Sequence, residues 1–425
     1  MITTILPDGE RIEYTYDDAH RLTEIKDQSG NRTVYSLNVN GDITQTEVYG
    51  TTGQLEAKNQ QVYDSLGRLK QSVGNNQQLQ TTSYNNYDQV LSDKNALNQS
   101  YGYSYDVLGR QISETDPING INKTEYDSFD QIKKVIDAKS GTITYQYNAF
   151  GEKGGQNSPD TGATAYQYQN GLLKEKTDAL QFKHQYQYDT QGRVTLQKDQ
   201  KTDGSDSYEQ TEFAYGETGD DLGKLTTVKN KRSETYLSYN NLGLVRQKAV
   251  KYLITNQSIP PQLKLNYSYS LGGKLKQLGL SSGNVVKYDY SATGQLSGIR
   301  LNDQSYIQNI QYNANGIKGR TYSVLGDAIQ FEYDLDGRIK RINMPNVFDK
   351  NYSFDSANHI LSINDATQSL FNSSFKHDAL SRLTRQTTQG TTTNTENYTI
   401  ASDSSHLTGI QQGTNTSLIN IYLQV

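Results

Sequence analysis

The 425-residue sequence contains no cysteine, no tryptophan, 2 methionines and only 6 prolines. Without cysteine there is neither a disulfide framework nor thiol chemistry. Hydrophobic residues make up 33% of the chain, against ~45–50% in ordinary globular domains. No apolar run approaches the ~18–20 residues that a membrane-spanning helix needs. The sequence therefore offers little material for a thick core and predicts no membrane span.

An excess of charge of one sign is also lacking. The chain has 41 Lys and Arg against 46 Asp and Glu, with a net charge of -5 and an isoelectric point near 5.7. This balance gives no electrostatic basis for binding nucleic acid. The first residues contain no basic segment followed by an apolar one, so no signal peptide is predicted. Disorder usually requires high net charge, few aromatics and many prolines, so a folded chain is expected.

Tyrosine is what the sequence has in quantity, with 33 residues, and tyrosine favours β-strands. Most of the tyrosines belong to a repeated unit, Tyr-x-Tyr-Asp-x-x-Gly-Arg-Leu. Clear copies start at Tyr14, Tyr103, Tyr186 and Phe331. The second aromatic residue recurs at steps of 21 from Tyr63 to Tyr168, and at steps of 21 or 22 from Tyr269 to Phe354. A fixed period of this length is typical of a tandem repeat architecture.

Each unit can be interpreted as one β-hairpin. The two aromatic residues of Tyr-x-Tyr lie on one face of a strand. The Asp accepts a backbone N–H two residues on and starts a turn, and the Gly takes a positive φ. The predicted structural residues of this turn are Tyr16, Asp17, Tyr63, Asp64, Gly67, Arg68, Tyr105, Asp106, Gly109, Arg110, Tyr188, Asp189, Gly192, Arg193, Tyr333, Asp334, Gly337 and Arg338.

A second turn is predicted 11 residues after the second aromatic. The position holds Asp in several units, namely Asp27, Asp116, Asp137, Asp199 and Asp365. About 21 residues therefore hold two strands and two turns. One hairpin alone is marginally stable. Neighbouring units are therefore expected to bury the surface that a single unit leaves exposed.

The predicted fold is all-β: tandem hairpins of about 21 residues that form one continuous sheet. Open sheets rarely exceed ~10 strands without curling, so this sheet should spiral or form a hollow wall. The whole chain, 1–425, is interpreted as a single repeat array. The period breaks near 38–61, 201–221 and 252–265, where loops or lengthened hairpins are expected, and it is weak after residue 386.

The recurring Tyr-Asp-x-x-Gly-Arg-Leu unit resembles the YD-repeat, or Rhs (rearrangement hot spot), family. The resemblance implies a spiralling sheet that forms a hollow shell, or cocoon, around a toxic polypeptide or a toxin-complex subunit. It also implies a secreted or cell-surface protein whose partners are a polypeptide cargo or the remaining parts of a larger Rhs protein. Full family members carry an Asp-Pro-x-Gly signature near the shell's end. The only Asp-Pro here is Asp116–Pro117, inside a repeat, so the chain resembles a shell segment, and neither self-cleavage nor toxicity is carried over.

No residue is predicted to be catalytic, to bind a cofactor or to bind a metal. The five histidines occupy variable repeat positions without metal-ligand spacing: His20, His184, His359, His377 and His406. Rows of turn Asp could bind Ca²⁺ or simply face water. The Arg after each Gly could form an anion-binding row, or pair with a neighbouring turn Asp and cover a Tyr ring. The Tyr rows could stack on sugars, or pack within the wall.

Three functions stay open at this point. The first is a non-enzymatic scaffold, a segment of an Rhs-type shell that encloses or presents a toxin or effector polypeptide. The second is a secreted or cell-surface adhesin that binds carbohydrate or protein. The third is an inactive, truncated remnant. An enzyme is not expected, because no nucleophile elbow, phosphate-binding loop or metal-ligand motif occurs.

Overall fold

A computed structural model describes residues 2–201, 209–253, 262–322, 326–390, 393–400, 407–412 and 415–418. Parts of the predicted inserts at 201–221 and 252–265 lie outside these residues, as do His406 and much of the weak repeat after residue 386.

The described residues form 38 β-strands and two 3-10 helices, Gly219–Asp221 and Ser369–Phe371. In chain order the strands are β1 (Ile2–Ile5), β2 (Arg11–Tyr16), β3 (Leu22–Asp27), β4 (Arg32–Leu37), β5 (Ile43–Tyr49), β6 (Leu55–Tyr63), β7 (Leu69–Val73), β8 (Leu79–Tyr84), β9 (Val90–Lys94), β10 (Ser100–Tyr105), β11 (Gln111–Thr115), β12 (Ile121–Tyr126), β13 (Ile132–Ile136), β14 (Thr142–Tyr147), β15 (Lys153–Ser158), β16 (Gly162–Gln169), β17 (Leu172–Thr177), β18 (Phe182–Tyr188), β19 (Val194–Lys201), β20 (Glu209–Tyr215), β21 (Leu225–Asn230), β22 (Ser233–Tyr239), β23 (Val245–Tyr252), β24 (Gln262–Tyr269), β25 (Leu275–Gly279), β26 (Val285–Tyr290), β27 (Leu296–Leu301), β28 (Gln304–Asn313), β29 (Gly316–Tyr322), β30 (Ala328–Tyr333), β31 (Ile339–Met344), β32 (Phe348–Phe354), β33 (Ile360–Asp365), β34 (Ser373–His377), β35 (Leu383–Thr388), β36 (Asn394–Ile400), β37 (Leu407–Gln412) and β38 (Asn415–Leu418).

The strands pair in the order in which they follow one another in the chain. Within the described ranges, every strand pairing given by the backbone register is antiparallel and joins a strand to its successor, as β6 to β7 and β7 to β8. The predicted all-β fold of tandem hairpins in one continuous sheet is therefore confirmed. Short connections between successive antiparallel strands are what the two turns per repeat predict.

The chain divides into two compact units. The first comprises residues 1–123, 289–299 and 305–422, and the second comprises residues 124–288 and 300–304. Each unit consists of the same kind of hairpin. The contacts between hairpins far apart in sequence that are described below lie within the first unit.

The sheet has almost no conventional core. Among the described residues, Ala249 is the one hydrophobic residue that is buried, with 3% of its surface exposed. Most tyrosines at the strand ends are half-buried. This explains how a chain with so few hydrophobic residues can fold. Ladder hydrogen bonds and contacts between neighbouring hairpins take the place of a layer of apolar side chains.

The turn after Tyr105 shows why the repeat sequence forms a hairpin. Asp106 N–H donates to the Arg110 carbonyl (3.0 Å), and Gly109 N–H donates to the Asp106 carbonyl (3.0 Å). The Asp106 carboxylate accepts the N–H groups of Leu108 (2.9 Å) and Arg110 (3.0 Å). Gly109 has a φ of +82°, and the ladder carries a bulge at Tyr105. A type of turn that ends in a left-handed Gly and a bulge matches the twist of the strands on either side.

The break in the period at 38–61 has a visible structure. Residues 38–61 contain β5 and most of β6, which are 7 and 9 residues long and form a lengthened hairpin. The interpretation of Asp199 as a turn residue was wrong. β19 continues through this position, and the Asp199 carboxylate instead lies 2.7 Å from Nδ1 of His184 on β18.

We predict that Gly67→Val destabilises its hairpin by about 1–3 kcal/mol, because Gly67 has a φ of +80° that a β-branched residue resists. A Cβ at Gly67 would meet no atom within 4 Å, so the cost is one of backbone conformation alone. Hydrogen exchange of β6 and β7, together with chemical denaturation, measures the effect. Gly102→Val is the matched control, because Gly102 lies within β10 and its Cβ would meet only ordinary contacts at 3.9 Å. Equal losses in the two variants would contradict the turn assignment.

Candidate functional site

A turn Arg can fasten its own turn to the next one along the sheet, and Arg68 shows how. Arg68 donates from Nε to Oδ2 of Asp64 (2.7 Å), and its Nη2 lies 2.7 Å from the same oxygen. Its Nη1 donates to the carbonyl of Asn85 (3.0 Å) and to Oδ1 of Asp88 (2.8 Å), both in the following turn. The guanidinium also covers the ring of Tyr84, with its carbon 4.7 Å from the ring centroid. One side chain therefore joins two repeats by charge, hydrogen bonds and a cation–π contact.

The same pairing recurs along the chain. The structure brings the predicted Arg and Asp together within each turn, and Nη2 lies 2.6–2.7 Å from Oδ2 in Arg21–Asp17, Arg110–Asp106, Arg193–Asp189 and Arg338–Asp334. The Asp partner belongs to the same turn. The ring that is covered belongs to the next repeat, as with Arg193 over Tyr215 and Arg338 over Phe354.

The pairing also acts on the turn carboxylates. The side-chain hydrogen bond from Arg68 lowers the pKa of Asp64 below its ordinary value, and Arg21 and Arg110 do the same to Asp17 and Asp106. The pKa of Asp189 is lowered chiefly by the backbone N–H of Arg193. A carboxylate held in its charged form suits a structural pair, and a general acid would need the opposite shift.

The second tyrosine of a unit can link the end of its own strand to an earlier strand. Tyr16, Tyr63, Tyr105, Tyr188 and Tyr333 each end their strand. A tyrosine hydroxyl at this position donates to a carbonyl of an earlier strand at 2.7–3.0 Å in Tyr63–Ile43, Tyr84–Leu69, Tyr105–Val90, Tyr147–Ile132, Tyr188–Leu173, Tyr215–Val194, Tyr239–Leu225, Tyr269–Val245 and Tyr333–Ile317. These rings are therefore part of the wall's own structure.

The remaining predicted positions are the turn glycines. Gly67, Gly109, Gly192 and Gly337 have φ angles between +77° and +82°. In the turn that begins at Asp17, His20 takes this place with a φ of +62°.

A second set of contacts joins parts of the first unit that are far apart in sequence. We call it the long-range contact and define it by Glu56, Lys58, Asn75 and Asn76 on one side and Asn315, Leu335 and Asp336 on the other. Lys58 N–H donates to the Leu335 carbonyl (2.9 Å), and Asn315 Nδ2 donates to the Glu56 carbonyl (3.0 Å). Partners in these bonds are up to 261 residues apart.

Asp336 is the centre of the long-range contact. Its Oδ1 accepts the backbone N–H of Asn75 (2.7 Å) and Nδ2 of Asn75 (2.9 Å), and its Oδ2 accepts Nδ2 of Asn76 (2.5 Å). Burial acts to raise the pKa of Asp336, but the bonds from Asn75 and Asn76 outweigh it and the pKa lies below its ordinary value. The folded state therefore favours the charged carboxylate.

The lengthened hairpin at 38–61 makes room for this contact. β6 pairs with β7 from Gln60 onwards, so residues 55–59 extend past the end of β7. Their backbone groups on that side would otherwise be unpaired, and an unpaired strand edge is a ready binding surface. On this edge of β6, the Lys58 N–H donates to the Leu335 carbonyl. The Lys58 carbonyl accepts Nδ2 of Asn75, and the Glu56 carbonyl accepts Nδ2 of Asn315.

A cavity of 580 Å³ lies beside the long-range contact. Its lining is mixed, with amide, hydroxyl and charged groups from Asn59, Ser72, Gln80, Tyr101, Arg338 and Asn358. Over the described ranges, no group of three or more His, Asp or Glu residues is placed to hold a metal ion.

One joint between repeats differs from the others. His359 takes the Arg position and His377 takes the tyrosine position, and the two rings stack with centroids 4.8 Å apart. Nδ1 of His359 lies 2.8 Å from Oδ2 of Asp355, the Asp of its own turn. Burial, and then His359, lower the pKa of His377, while Asp355 and Asp378 oppose the shift. Here two imidazoles replace the cation–aromatic pair.

Sequence reasoning found the turn residues but not the long-range contact. Asn75, Asn76 and Asn315 belong to no motif, and Asp336 occupies one of the variable positions of the repeat unit. Their only signal in the sequence is the break in the period at 38–61, which marks the strand that they cover.

Comparisons with known proteins agree with this architecture. Residues 2–32 match the family model of the RHS repeat. No curated protein matches the chain in sequence. The chain shares its fold with TcdB2-TccC3 solved without its hypervariable C-terminal region, at 17% identity and a TM-score of 0.77, over 96% of this chain and 26% of that chain. The figures for TcdB2-TccC3-Cdc42 are the same.

A third match is the Photorhabdus luminescens Tc holotoxin pore, at 17% identity and a TM-score of 0.76, over 95% of this chain and 25% of that chain. The chain thus spans about a quarter of the length of these structures. The predicted resemblance to Rhs, or YD-repeat, proteins is confirmed by the family model and the shared fold. In the part of the chain that the structure describes, no helix has the length and apolar character to cross a membrane.

We predict that Asp336→Ala loosens the long-range contact, because three donors on Asn75 and Asn76 lose a charged acceptor. The expected loss is about 2 kcal/mol, with faster hydrogen exchange at Lys58 and Asn75. Asp18→Ala is the control, since Asp18 is an exposed carboxylate in an equivalent turn. Unchanged exchange at Lys58 in the Asp336 variant would contradict the role given to this carboxylate.

We predict that the joint at His359 and His377 weakens as the pH falls. The folded pKa of His377 lies below its ordinary value of 6.5, so the folded state binds fewer protons than the unfolded state. Stability is therefore full above the unfolded pKa and is lost as the pH falls from about 6.5 through the folded pKa. Hydrogen exchange in β33 to β35, followed from neutral to mildly acidic pH, measures the loss.

Two variants separate this effect from general acid sensitivity. His377→Tyr restores the residue of the other repeats and should flatten the pH dependence in β33 to β35. His20→Asn removes an exposed histidine from a distant turn and should leave the pH dependence in β33 to β35 unchanged. The same pH dependence in the wild type and in His377→Tyr would show that His377 is not its source.

Proposed function

We propose that this chain is a wall segment of an Rhs-type shell, a non-enzymatic scaffold that encloses a toxin or effector polypeptide. The observation that supports the proposal most directly is the long-range contact. In it, turns from 313–338 lie on the edge of β6 and on the turn at 74–78. A sheet whose hairpins also join edge to edge can form a wall without gaps along that edge.

The mechanism would be steric. Each strand is hydrogen-bonded to its neighbours, and several turns are fastened to the next by an Arg, so the sheet would act as a continuous barrier. A protease cannot cleave a chain that it cannot reach. The wall would keep its cargo apart from the cell without any bond being made or broken. Its partners would be the cargo polypeptide and the remaining parts of a larger Rhs protein.

The state of the side chains supports a scaffold over an enzyme. The turn Asp residues are paired with Arg, and the lowered pKa values of Asp17, Asp64 and Asp106 suit a permanent charge. The tyrosine hydroxyls donate to backbone carbonyls. These groups stabilise the sheet itself. Because the tyrosines are used in this way, the scaffold is favoured over an adhesin that would stack sugars on their rings. Secretion or a cell-surface location belongs to this proposal.

Enclosure is tested on the natural polypeptide that carries this sequence, purified from its source cells with an antibody raised against the chain. We expect a product much larger than 47.7 kDa that contains a segment resistant to protease until the shell is denatured. Asp336→Ala in that polypeptide should expose the segment to cleavage, and Asp18→Ala should not. A product close to 47.7 kDa, or an additional segment that the protease digests at once, would refute enclosure.

A further inference from the structure

A row of apolar residues stands exposed on one edge of the first unit. In three successive Asp turns, the residue two places after the Asp or Asn is Leu66, Tyr87 or Leu108, and 70%, 84% and 69% of their surfaces are exposed. Val107 beside Leu108 is fully exposed as well. We call these residues the apolar row. Single exposed apolar residues are ordinary, but a regular row of them marks an interaction surface.

Later turns of the same unit show what this turn position can contact. The equivalent residues there are Asp336, Ala357 and Leu380, and all three are half-buried. Their turns lie on return turns, the second turns of other repeats. Asp336 accepts bonds from Asn75 and Asn76, Gln78 Nε2 donates to Oδ1 of Asn358 (3.3 Å), and Gln99 Nε2 donates to the carbonyl of Asp378 (3.4 Å).

We propose that the apolar row binds the return-turn edge of a second Tyr-Asp hairpin array. The geometry for this is already present in the molecule, where three successive Asp turns meet two successive return turns, at 74–78 and 95–99. Successive Asp turns are two strands apart, about 10 Å at ~4.8 Å per strand. Return turns of any such array have the same spacing, so a whole row can meet a whole row.

The chemistry of the row selects the kind of return turn. One of the covered turns uses a carboxylate, Asp336, against the amides of Asn75 and Asn76. The apolar row has no carboxylate at this position and calls for apolar tips instead. The return turn at Ile118 has such a tip, with 42% of its surface exposed, whereas the return turn that carries Leu97 already meets the turn of Asp378. Leu or Ile at the tip of an Asn- or Asp-initiated turn is therefore the partner surface that fits.

Binding of this kind is head to tail. One chain carries both surfaces, so a second copy can place its return turns on the row of the first and leave its own row available. Such a contact joins different patches on the two partners and does not close upon itself in a dimer. The inference goes beyond enclosure: it says where another array attaches, and it holds whether or not a cargo is present.

Sedimentation velocity of this chain over a wide range of concentration tests the proposal. We expect concentration-dependent association beyond the dimer. The triple variant Leu66→Ser, Tyr87→Ser and Leu108→Ser should weaken it at least tenfold, with an unchanged circular dichroism spectrum. The control triple Leu263→Ser, Leu301→Ser and Leu370→Ser removes exposed leucines outside the row and should associate as the wild type does. A chain that stays monomeric, or an association that survives loss of the row, would overturn the proposal.

Disulfide trapping identifies the occupant, and it is clean because the chain has no cysteine. Chains with Tyr87→Cys and chains with Ile118→Cys are mixed and oxidised. The proposal expects cross-links between the two kinds of chain. Cross-links formed only between two Tyr87→Cys chains would show that the row binds another row, and this result would refute a return-turn partner.

Discussion

The repeat array depends on Arg residues that leave one turn and reach the next, as at Arg21, Arg68, Arg193 and Arg338. In Arg68 a single guanidinium neutralises Asp64, donates to Asn85 and Asp88, and covers the ring of Tyr84. Because the planar group has donors on several sides, it can satisfy two turns at once, which a lysine could not do. The turn Asp also makes two kinds of contact. In Asp64, Oδ1 accepts the backbone N–H groups of its own turn, and Oδ2 accepts the Arg68 side chain. Local turn formation and the contact between repeats are thus one interaction.

This explains how a sheet of 38 strands folds with almost no buried apolar residue. Each hairpin is stabilised mainly by its neighbours, so the contributions add along the chain and no central core is required. A single layer with two largely polar faces is the result. The proposed scaffold function agrees with the way in which the sheet is stabilised.

The sequence was sufficient to predict those features that repeat and insufficient for those that occur once. Tyr105, Asp106 and Gly109 could be assigned because the same residues recur in phase and each has a local reason for its position. The bonds from Asn75 to Asp336 could not, because they join residues 261 positions apart whose types are common in any turn. The insert at 38–61 was visible as a break in the period. The extension of β6 past β7 could not be predicted, because it depends on strand register and composition does not determine the register. Asp199 was wrongly assigned to a turn. Spacing alone cannot distinguish a turn Asp from an Asp within a strand that pairs with a residue of the neighbouring strand, as Asp199 on β19 pairs with His184 on β18.

Equivalent positions in a repeat become different through what lies next to them. The residue two places after the turn Asp is exposed as Tyr87 and covered as Asp336, although both turns have the same backbone form. Likewise, the joint that is Arg over an aromatic ring at Arg68, Arg193 and Arg338 is a pair of stacked imidazoles at His359 and His377. A repeat protein can acquire a contact or a titratable joint at such a position without a new fold, since the backbone is already fixed by the neighbouring hairpins. The departures from the consensus are therefore the places where this wall carries its individual properties, and the consensus residues are the places where it carries its stability.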